Sequence, residues 1–151
     1  MNAKYSFVLL LITALVGCFA KQAEKPTPAE VGTPVQELTP PSELALMMRA
    51  MAAHADSAKA HIARNEDLPP FPEQFAGLMT ATPTVGMHID PITFPTFAKD
   101  YRTKLDNLYK VKKGERTTAY NALVQSCANC HGSHCPGPLM RIKKMYVSAP
   151  K

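Results

Sequence analysis

The chain has 151 residues and a formal net charge of +5 at pH 7. Its Lys and Arg residues are not interleaved with aromatic residues as in nucleic-acid channels, so composition disfavours a nucleic-acid ligand. Acidic protein partners or an anionic membrane surface are the more economical explanations of the positive charge.

The first 17 residues predict a signal peptide. Lys4 precedes an uncharged, largely apolar run from Tyr5 to Val16, which is too short to span a bilayer but has the length of a signal-peptide core. The run ends in Leu15-Val16-Gly17-Cys18, which resembles a bacterial lipobox. This resemblance implies that Cys18 is lipidated and anchors the mature chain to a membrane. Ordinary cleavage near Ala20 would instead give a soluble secreted protein, and both interpretations export the chain.

Residues 18–41 predict a lipidated N-terminus followed by a tether. Prolines lie among polar residues from Lys21 to Pro41, without a helical or alternating apolar pattern. Such a segment buries too little apolar surface to offset its ordering entropy. Residues 42–151 then form one domain, which is large enough for a single core.

Two helices are predicted in the first part of this domain. Ser42 is the expected N-cap of the first helix, with Glu43 in its first turn. Its apolar stripe recurs at three-, four- and seven-residue steps and consists of Leu44, Met47, Met48, Met51, Ala55, Ala58 and Ile62. The second helix is short, begins near Pro72, and uses Phe71, Phe75, Leu78 and Met79.

A long irregular connection is expected over residues 80–91, because Pro83, Gly86 and Pro91 interrupt any period. A third helix follows, with the stripe Phe94, Phe97, Tyr101, Leu105, Leu108 and Val111. It should end where several lysines precede Gly114. The stripe of the fourth helix, Tyr120, Leu123, Val124 and Cys127, continues into Cys130 and His131.

The sequence Cys127-Ala-Asn-Cys130-His131 is a C-x-x-C-H motif at the end of this last apolar stripe. Two thiols at this spacing reach both vinyl groups of one haem, and the next residue offers an imidazole to the iron. The motif therefore predicts one covalent haem c, with thioethers from Cys127 and Cys130 and His131 as the proximal iron ligand. Export is consistent with this prediction, because covalent haem attachment takes place outside the cytoplasm.

A C-terminal C-x-x-C-H on the last of four helices resembles the cytochrome c-prime family, the class II mono-haem cytochromes. The resemblance covers roughly Ser42 to Lys144, and only the motif matches specifically. It implies an all-α fold like a four-helix bundle, with the cofactor held between facing helices. The short second helix and the long connection depart from an even bundle, and the segment from Gly132 to Pro138 breaks a helix that continues in the family.

Two rival interpretations of the motif are weaker. Class I cytochromes c carry C-x-x-C-H near the N-terminus and take a methionine from well downstream, whereas Met140 and Met145 lie too close to the motif here. A zinc site would use Cys127, Cys130, His134 and Cys135. The adjacency of the last two makes it hard for both to face one ion.

A methionine is the best candidate for the distal side of the iron. In an up-down-up-down bundle the first helix runs antiparallel to the fourth, which places its methionines opposite His131. Met48 is the first choice, with Met51 and Met47 as alternatives, although methionines on such a stripe also serve as core filler. His54 is a further distal alternative if the helix is rotated.

The favoured function is an extracytoplasmic, periplasmic one-electron carrier on a membrane-anchored lipoprotein, because methionine opposite histidine closes the iron and raises its potential. An open distal position would instead give a gas-binding haem sensor or scavenger for nitric oxide or carbon monoxide. An enzyme such as a peroxidase is disfavoured, because no distal acid–base pair is evident.

The cations near the C-terminus and the remaining cysteine offer contacts for the cofactor or for partner proteins. Arg141, Lys143 and Lys144 either pair with a haem propionate, attract an acidic redox partner, or form a solvated charge run. Cys135 has no intrachain thiol left to pair with, so it stays free, is modified, or joins two chains. A homodimer through an exposed stripe is a further option.

Overall fold

The computed structural model of the chain describes residues 40–87 and 89–148. All regular secondary structure in these two ranges is helical, with no strand, so the all-α prediction is confirmed for this part of the chain. The predicted signal peptide, the lipidation of Cys18, nearly all of the tether and His88 lie outside the described residues. None of the described helices is both long enough and apolar enough to cross a membrane.

Helix α1 spans Glu43–Ala63 and begins as the sequence predicts. The Ser42 hydroxyl accepts a hydrogen bond from the Ala45 N–H at 3.1 Å, which satisfies one of the free donors of the first turn. The helix ends before Asn65, whose φ of 55° lies in the left-handed region that asparagine tolerates. The predicted stripe faces inward, and its fully buried members are Leu44, Met51, Ala55 and Ala58.

The second predicted helix is a 3₁₀ helix, Glu73–Met79, and one member of its predicted stripe is wrong. Phe75 and Leu78 are buried, but Met79 is 58% exposed. A 3₁₀ helix has three residues per turn, so side chains at i and i+3 share a face. Phe75 and Leu78 therefore point together into the core and Met79 does not.

Helix α2 spans Phe94–Lys110 and follows the predicted irregular connection. It ends earlier than predicted, because Val111 is extended and Lys113 belongs to a separate 3₁₀ turn. Asp90 organises the end of this connection, since its Oδ1 accepts hydrogen bonds from the N–H groups of Ile92 and Thr93 at 2.7 and 3.2 Å. These two bonds lower the pKa of the Asp90 carboxyl. The buried face of α2 consists of Ala98, Tyr101, Leu105 and Leu108.

Helix α3 spans Arg116–Ser133 and follows a 3₁₀ turn at Lys113–Glu115. Its buried face consists of Ala119, Tyr120, Leu123, Val124, Ser126 and His131. The predicted helix break is confirmed, because α3 stops at Ser133 and the chain resumes as α4, Leu139–Lys143.

The helices pack unevenly around the core. Helices α2 and α3 make the most extensive contact, whereas α1 touches α3 much less. Leu105, Leu108, Leu123 and Val124, from α2 and α3, are at most 1% exposed. Burying each such side chain contributes about 1.5–3 kcal/mol, so this pair of helices is the stable base of the fold. The looser contact leaves space between α1 and the C-terminal half of α3.

The segment after α4 is fastened across α1 and α3. Asn121 donates its amide N–H to the Val147 carbonyl at 2.8 Å and accepts the Val147 N–H at 2.9 Å. From the other side, Lys59 Nζ donates to the carbonyls of Lys144 and Tyr146, both at 2.9 Å. Side chains thus replace the backbone partners that an irregular segment lacks.

His54 is held in a polar network between α1 and α2. The Tyr109 hydroxyl donates to the Pro69 carbonyl at 2.7 Å and lies 3.1 Å from His54 Nε2. Since the hydroxyl hydrogen points at the carbonyl, His54 Nε2–H donates to the hydroxyl oxygen. Burial beside the Phe75 ring lowers the pKa of His54.

Asn121→Ala should lower the free energy of unfolding by about 1–3 kcal/mol, because both hydrogen bonds to Val147 are lost. Asn107→Ala is the matched control, since Asn107 is an exposed asparagine in the interior of α2. Both substitutions change helix propensity alike, so the difference between them in urea unfolding reports the bonds to Val147. Equal stabilities of the two variants would show that the C-terminal segment is not fastened in this way.

The polar network of His54 and Tyr109 predicts that stability depends on pH. Because the pKa of His54 is lowered in the folded state from 6.5, the unfolded state takes up the proton first as pH falls. The stabilising contribution is therefore present above pH 6.5 and is lost as pH falls towards the folded pKa. We expect urea unfolding of His54→Gln, measured between about pH 5 and pH 8, to lack this component. A variant whose stability follows the same pH curve as wild type would contradict the assignment.

Candidate functional site

The C-x-x-C-H motif occupies the last two turns of α3. Cys127, Cys130 and His131 follow one another at i, i+3 and i+4, so the helix places both thiols and the imidazole on one side. All three described cysteines, these two and Cys135, are free thiols. The structure thus brings together the three residues that the sequence singled out.

His131 is buried and its ring orientation is fixed. Its Nδ1 lies 3.0 Å from the carbonyl oxygen of Cys135 and 3.1 Å from Sγ of the same residue. A carbonyl only accepts hydrogen bonds, so Nδ1 carries the hydrogen. In the neutral ring Nε2 then has a free lone pair, which is the arrangement typical of a metal-ligating histidine.

The surroundings of His131 contain three neighbouring cavities, of about 170, 50 and 30 Å³. His131 and Met48 line all three of them. The largest lies between α1 and α3, beneath α4, and its walls are almost entirely apolar. Cys127 lines the 170 and 30 Å³ cavities, and Cys130 lines the 30 and 50 Å³ ones.

The three candidate methionines are placed differently. Met48 lines all three cavities and Met51 lines two, so both side chains share a cavity with His131. Met47 lines none of the three, and its Cε lies against Gly77, 3.4 Å from the position a Cβ would take there. Met48 and Met51 thus remain candidates for the distal ligand, whereas Met47 packs on the 3₁₀ helix.

His54 lies away from these cavities. Its Nε2 is committed to Tyr109 and its ring packs on Phe75. It lines none of the three cavities around His131. The rotated helix that would bring His54 to the side of His131 is not observed.

Burial keeps the polar groups of the site neutral. It raises the pKa of the Cys127 thiol to about 12 and that of Cys130 to about 11. Burial also raises the pKa of Tyr101, whose side chain lines the 170 and 30 Å³ cavities. From the sequence, Tyr101 is predicted only as a member of an apolar stripe. The helical period predicts which face of a helix is buried, but it does not predict which residues or cavities that face contacts.

Two arginines form the polar edge of the 170 Å³ cavity. Arg49 and Arg141 line it, and Arg141 Nη2 also lies 2.9 Å from Asp56 Oδ2. The sequence pointed to Arg141, together with the exposed Lys143 and Lys144, but missed Arg49. Arg49 directly follows Met48, and this position next to the inward-facing stripe could have identified it as a site residue from the sequence.

His134 is one of the four ligands that the alternative zinc site would use. His134 packs between the rings of Phe94 and Phe97, with centroid distances of 6.0 and 5.5 Å. Among the residues that the structure describes, no three His, Cys, Asp or Glu side chains are grouped closely enough to hold a metal ion.

A larger groove of about 320 Å³ lies on the other side of Leu78 and Ala98, between the 3₁₀ helix and α2. None of its described wall residues is a cysteine or a histidine, and the two cations among them are Lys99 and Arg102. Arg102 already pairs with Asp106 at 3.1 Å. Size alone therefore does not make it the functional site, whereas the smaller cavities contain the cysteines and the histidine of the motif.

No known protein family, curated protein or solved structure matches this chain. The chemistry and placement of its own residues therefore define the candidate site: two neutral thiols and one oriented imidazole beside an apolar space that Met48 closes from the opposite helix.

Proposed function

We propose that the protein is an exported mono-haem c-type cytochrome, similar to the cytochromes c-prime, that carries single electrons. One observation carries the proposal. Cys127, Cys130 and His131 share one side of α3, and the hydrogen bond from His131 Nδ1 to the Cys135 carbonyl leaves Nε2 free for an iron. An ordinary core helix has no need of this combination.

The donor set fits a haem. Cys127 and Cys130 would hold it through thioethers, and His131 would ligate the iron through Nε2. Arg49 and Arg141, at the edge of the 170 Å³ cavity, would pair with the haem carboxylates. The bound iron would supply a one-electron redox couple.

The space beside His131 would have to widen to hold this cofactor, since even its three cavities together stay below the usual pocket size. Pockets for ligands of this size usually measure about 300–1,000 Å³, and each cavity beside His131 is smaller. Met48 lines all three and, as a methionine, changes rotamer easily, so its movement is the first that would widen this space. Ala52 and Ala55 add little bulk on the α1 side. We propose that α1 and α3 are the facing helices of a bundle that encloses the haem.

Met48 is the proposed distal ligand. With Met48 and His131 as its two protein ligands, the iron would have a raised potential and would be closed to small gases, which suits electron transfer. Met51 is the alternative that shares two of the cavities. A gas-binding sensor or scavenger would need the same site with the distal position open.

The location and the partners follow from the same proposal. Haem attachment outside the cytoplasm agrees with the predicted export signal and with a lipid on Cys18. The mature chain remains basic, which favours acidic redox partners. We propose a periplasmic, membrane-anchored carrier.

The native exported protein should carry the mass of one haem, and this mass should survive denaturation. Cys127→Ala and Cys130→Ala should each remove one thioether, and the double variant should lose the covalent haem altogether. Cys135→Ala is the control and should retain it, since Cys135 is not part of the motif. A wild-type chain without added mass would refute the proposed function.

The distal side is tested with carbon monoxide. The reduced wild-type protein should show no spectral change with the gas, whereas Met48→Ala should bind it, because the sixth position is then open. Met47→Ala is the matched control and should behave as wild type. If the wild-type protein itself bound carbon monoxide readily, the gas-binding function would replace the carrier. If only Met51→Ala opened the iron, Met51 would be the ligand.

A further inference from the structure

We infer that Cys135 is a positioning residue for His131 and sets the donor strength of its imidazole through a main-chain carbonyl and a thiol together. This inference rests on the proposed cytochrome function and deepens it. The C-x-x-C-H motif specifies which residues hold a haem but does not specify what lies behind the proximal histidine.

The contact consists of two close approaches to one atom. His131 Nδ1 lies 3.0 Å from the Cys135 carbonyl oxygen and 3.1 Å from Cys135 Sγ. The carbonyl is the stronger acceptor, and sulfur is a weak one. His131 is only 9% exposed, so little water competes for the same hydrogen. The Nδ1–H group therefore faces both acceptors of a single residue.

The helix break creates this arrangement. In an uninterrupted helix the carbonyl of Cys135 would accept the N–H four residues further on, that of Leu139. Here α3 stops at Ser133, and the next residues precede Pro136. A residue before proline is disfavoured in the α region, which takes the Cys135 backbone out of the helix. Its carbonyl is then free to turn back to the imidazole.

The chemical consequence concerns the iron ligand. An acceptor on Nδ1–H makes the other ring nitrogen a better electron donor and so favours the ferric over the ferrous state. The sulfur adds to the effect of the carbonyl and also fills the space beside the ring. Cys135 remains a free thiol in this arrangement because haem attachment uses Cys127 and Cys130.

The test is the midpoint potential of the haem-loaded, full-length protein. In Cys135→Ala the sulfur is lost and the carbonyl remains, so the ferrous-to-ferric ratio at a fixed applied potential should rise about three- to tenfold, where tenfold corresponds to about 59 mV. Cys135→Ser retains a polar acceptor and should show a smaller rise. Ser133→Ala is the matched control and should leave the potential unchanged, since among the described residues its hydroxyl bonds to the Asn129 carbonyl and not to His131 or Cys135.

A chemical modification supplies a second measurement if Cys135→Ala fails to accumulate. Iodoacetamide treatment of the loaded wild-type protein should alkylate Cys135, which is verified by mass. Because the bulky adduct displaces the sulfur from His131 Nδ1, the ferrous-to-ferric ratio at the same applied potential should rise at least threefold.

Unchanged potentials, or an equal shift in Ser133→Ala, would overturn the positioning role while leaving the cytochrome intact. Absence of covalent haem from the wild-type protein is a separate result, read from its mass. It would remove the cytochrome proposal and the positioning role with it.

Discussion

The candidate site depends on the hydrogen bond between the His131 imidazole and the Cys135 carbonyl. This bond fixes the ring and its tautomer, and it exists only because α3 ends within one turn of the motif. A longer helix would direct that carbonyl along its own axis and leave Nδ1 without this partner. The Pro- and Gly-rich segment 132–138 therefore has a structural purpose beyond ending a helix. It orients the most important side chain of the site.

The fold combines a tightly packed half with a looser one. Leu105, Leu108 and Leu123 show at most 1% exposure where α2 meets α3, and this contact stabilises the helix that bears the motif. Helix α1 approaches α3 less closely, with alanines and methionines facing the gap. Proteins usually fill their cores to crystal-like density, so an apolar gap beside two thiols and an imidazole is the space in which we propose that a cofactor binds. The C-terminal segment closes one end of the gap, held by Asn121 and Lys59.

Charge has a smaller part in the fold than at the edge of the site. The Arg141–Asp56 pair is largely exposed, and such pairs contribute about 0–1 kcal/mol to stability. The position of Arg141 beside Arg49, at the edge of the 170 Å³ cavity, says more about the site than about stability. Two guanidinium groups there offer carboxylates a bidentate partner and would orient a propionate-bearing ligand. The same cations add to the basic surface that an acidic redox partner would meet.

The sequence by itself determined the helical class, the Ser42 cap, the start of α2 and the face of α3 that carries Cys127, Cys130 and His131. These features follow from local rules, because capping, helical period and proline geometry act over a few residues. Local rules did not decide that Met79 would be exposed, since a period of 3.6 and one of 3.0 differ little over so short a stretch. Nor did they decide the placement of Met48 and Arg49 beside the cavity, the retention of His54 by Tyr109, or the contact of Cys135 with His131. These contacts depend on how the helices pack and on how the chain turns after α3. Both are properties of the tertiary structure, which alone determines which side chains meet.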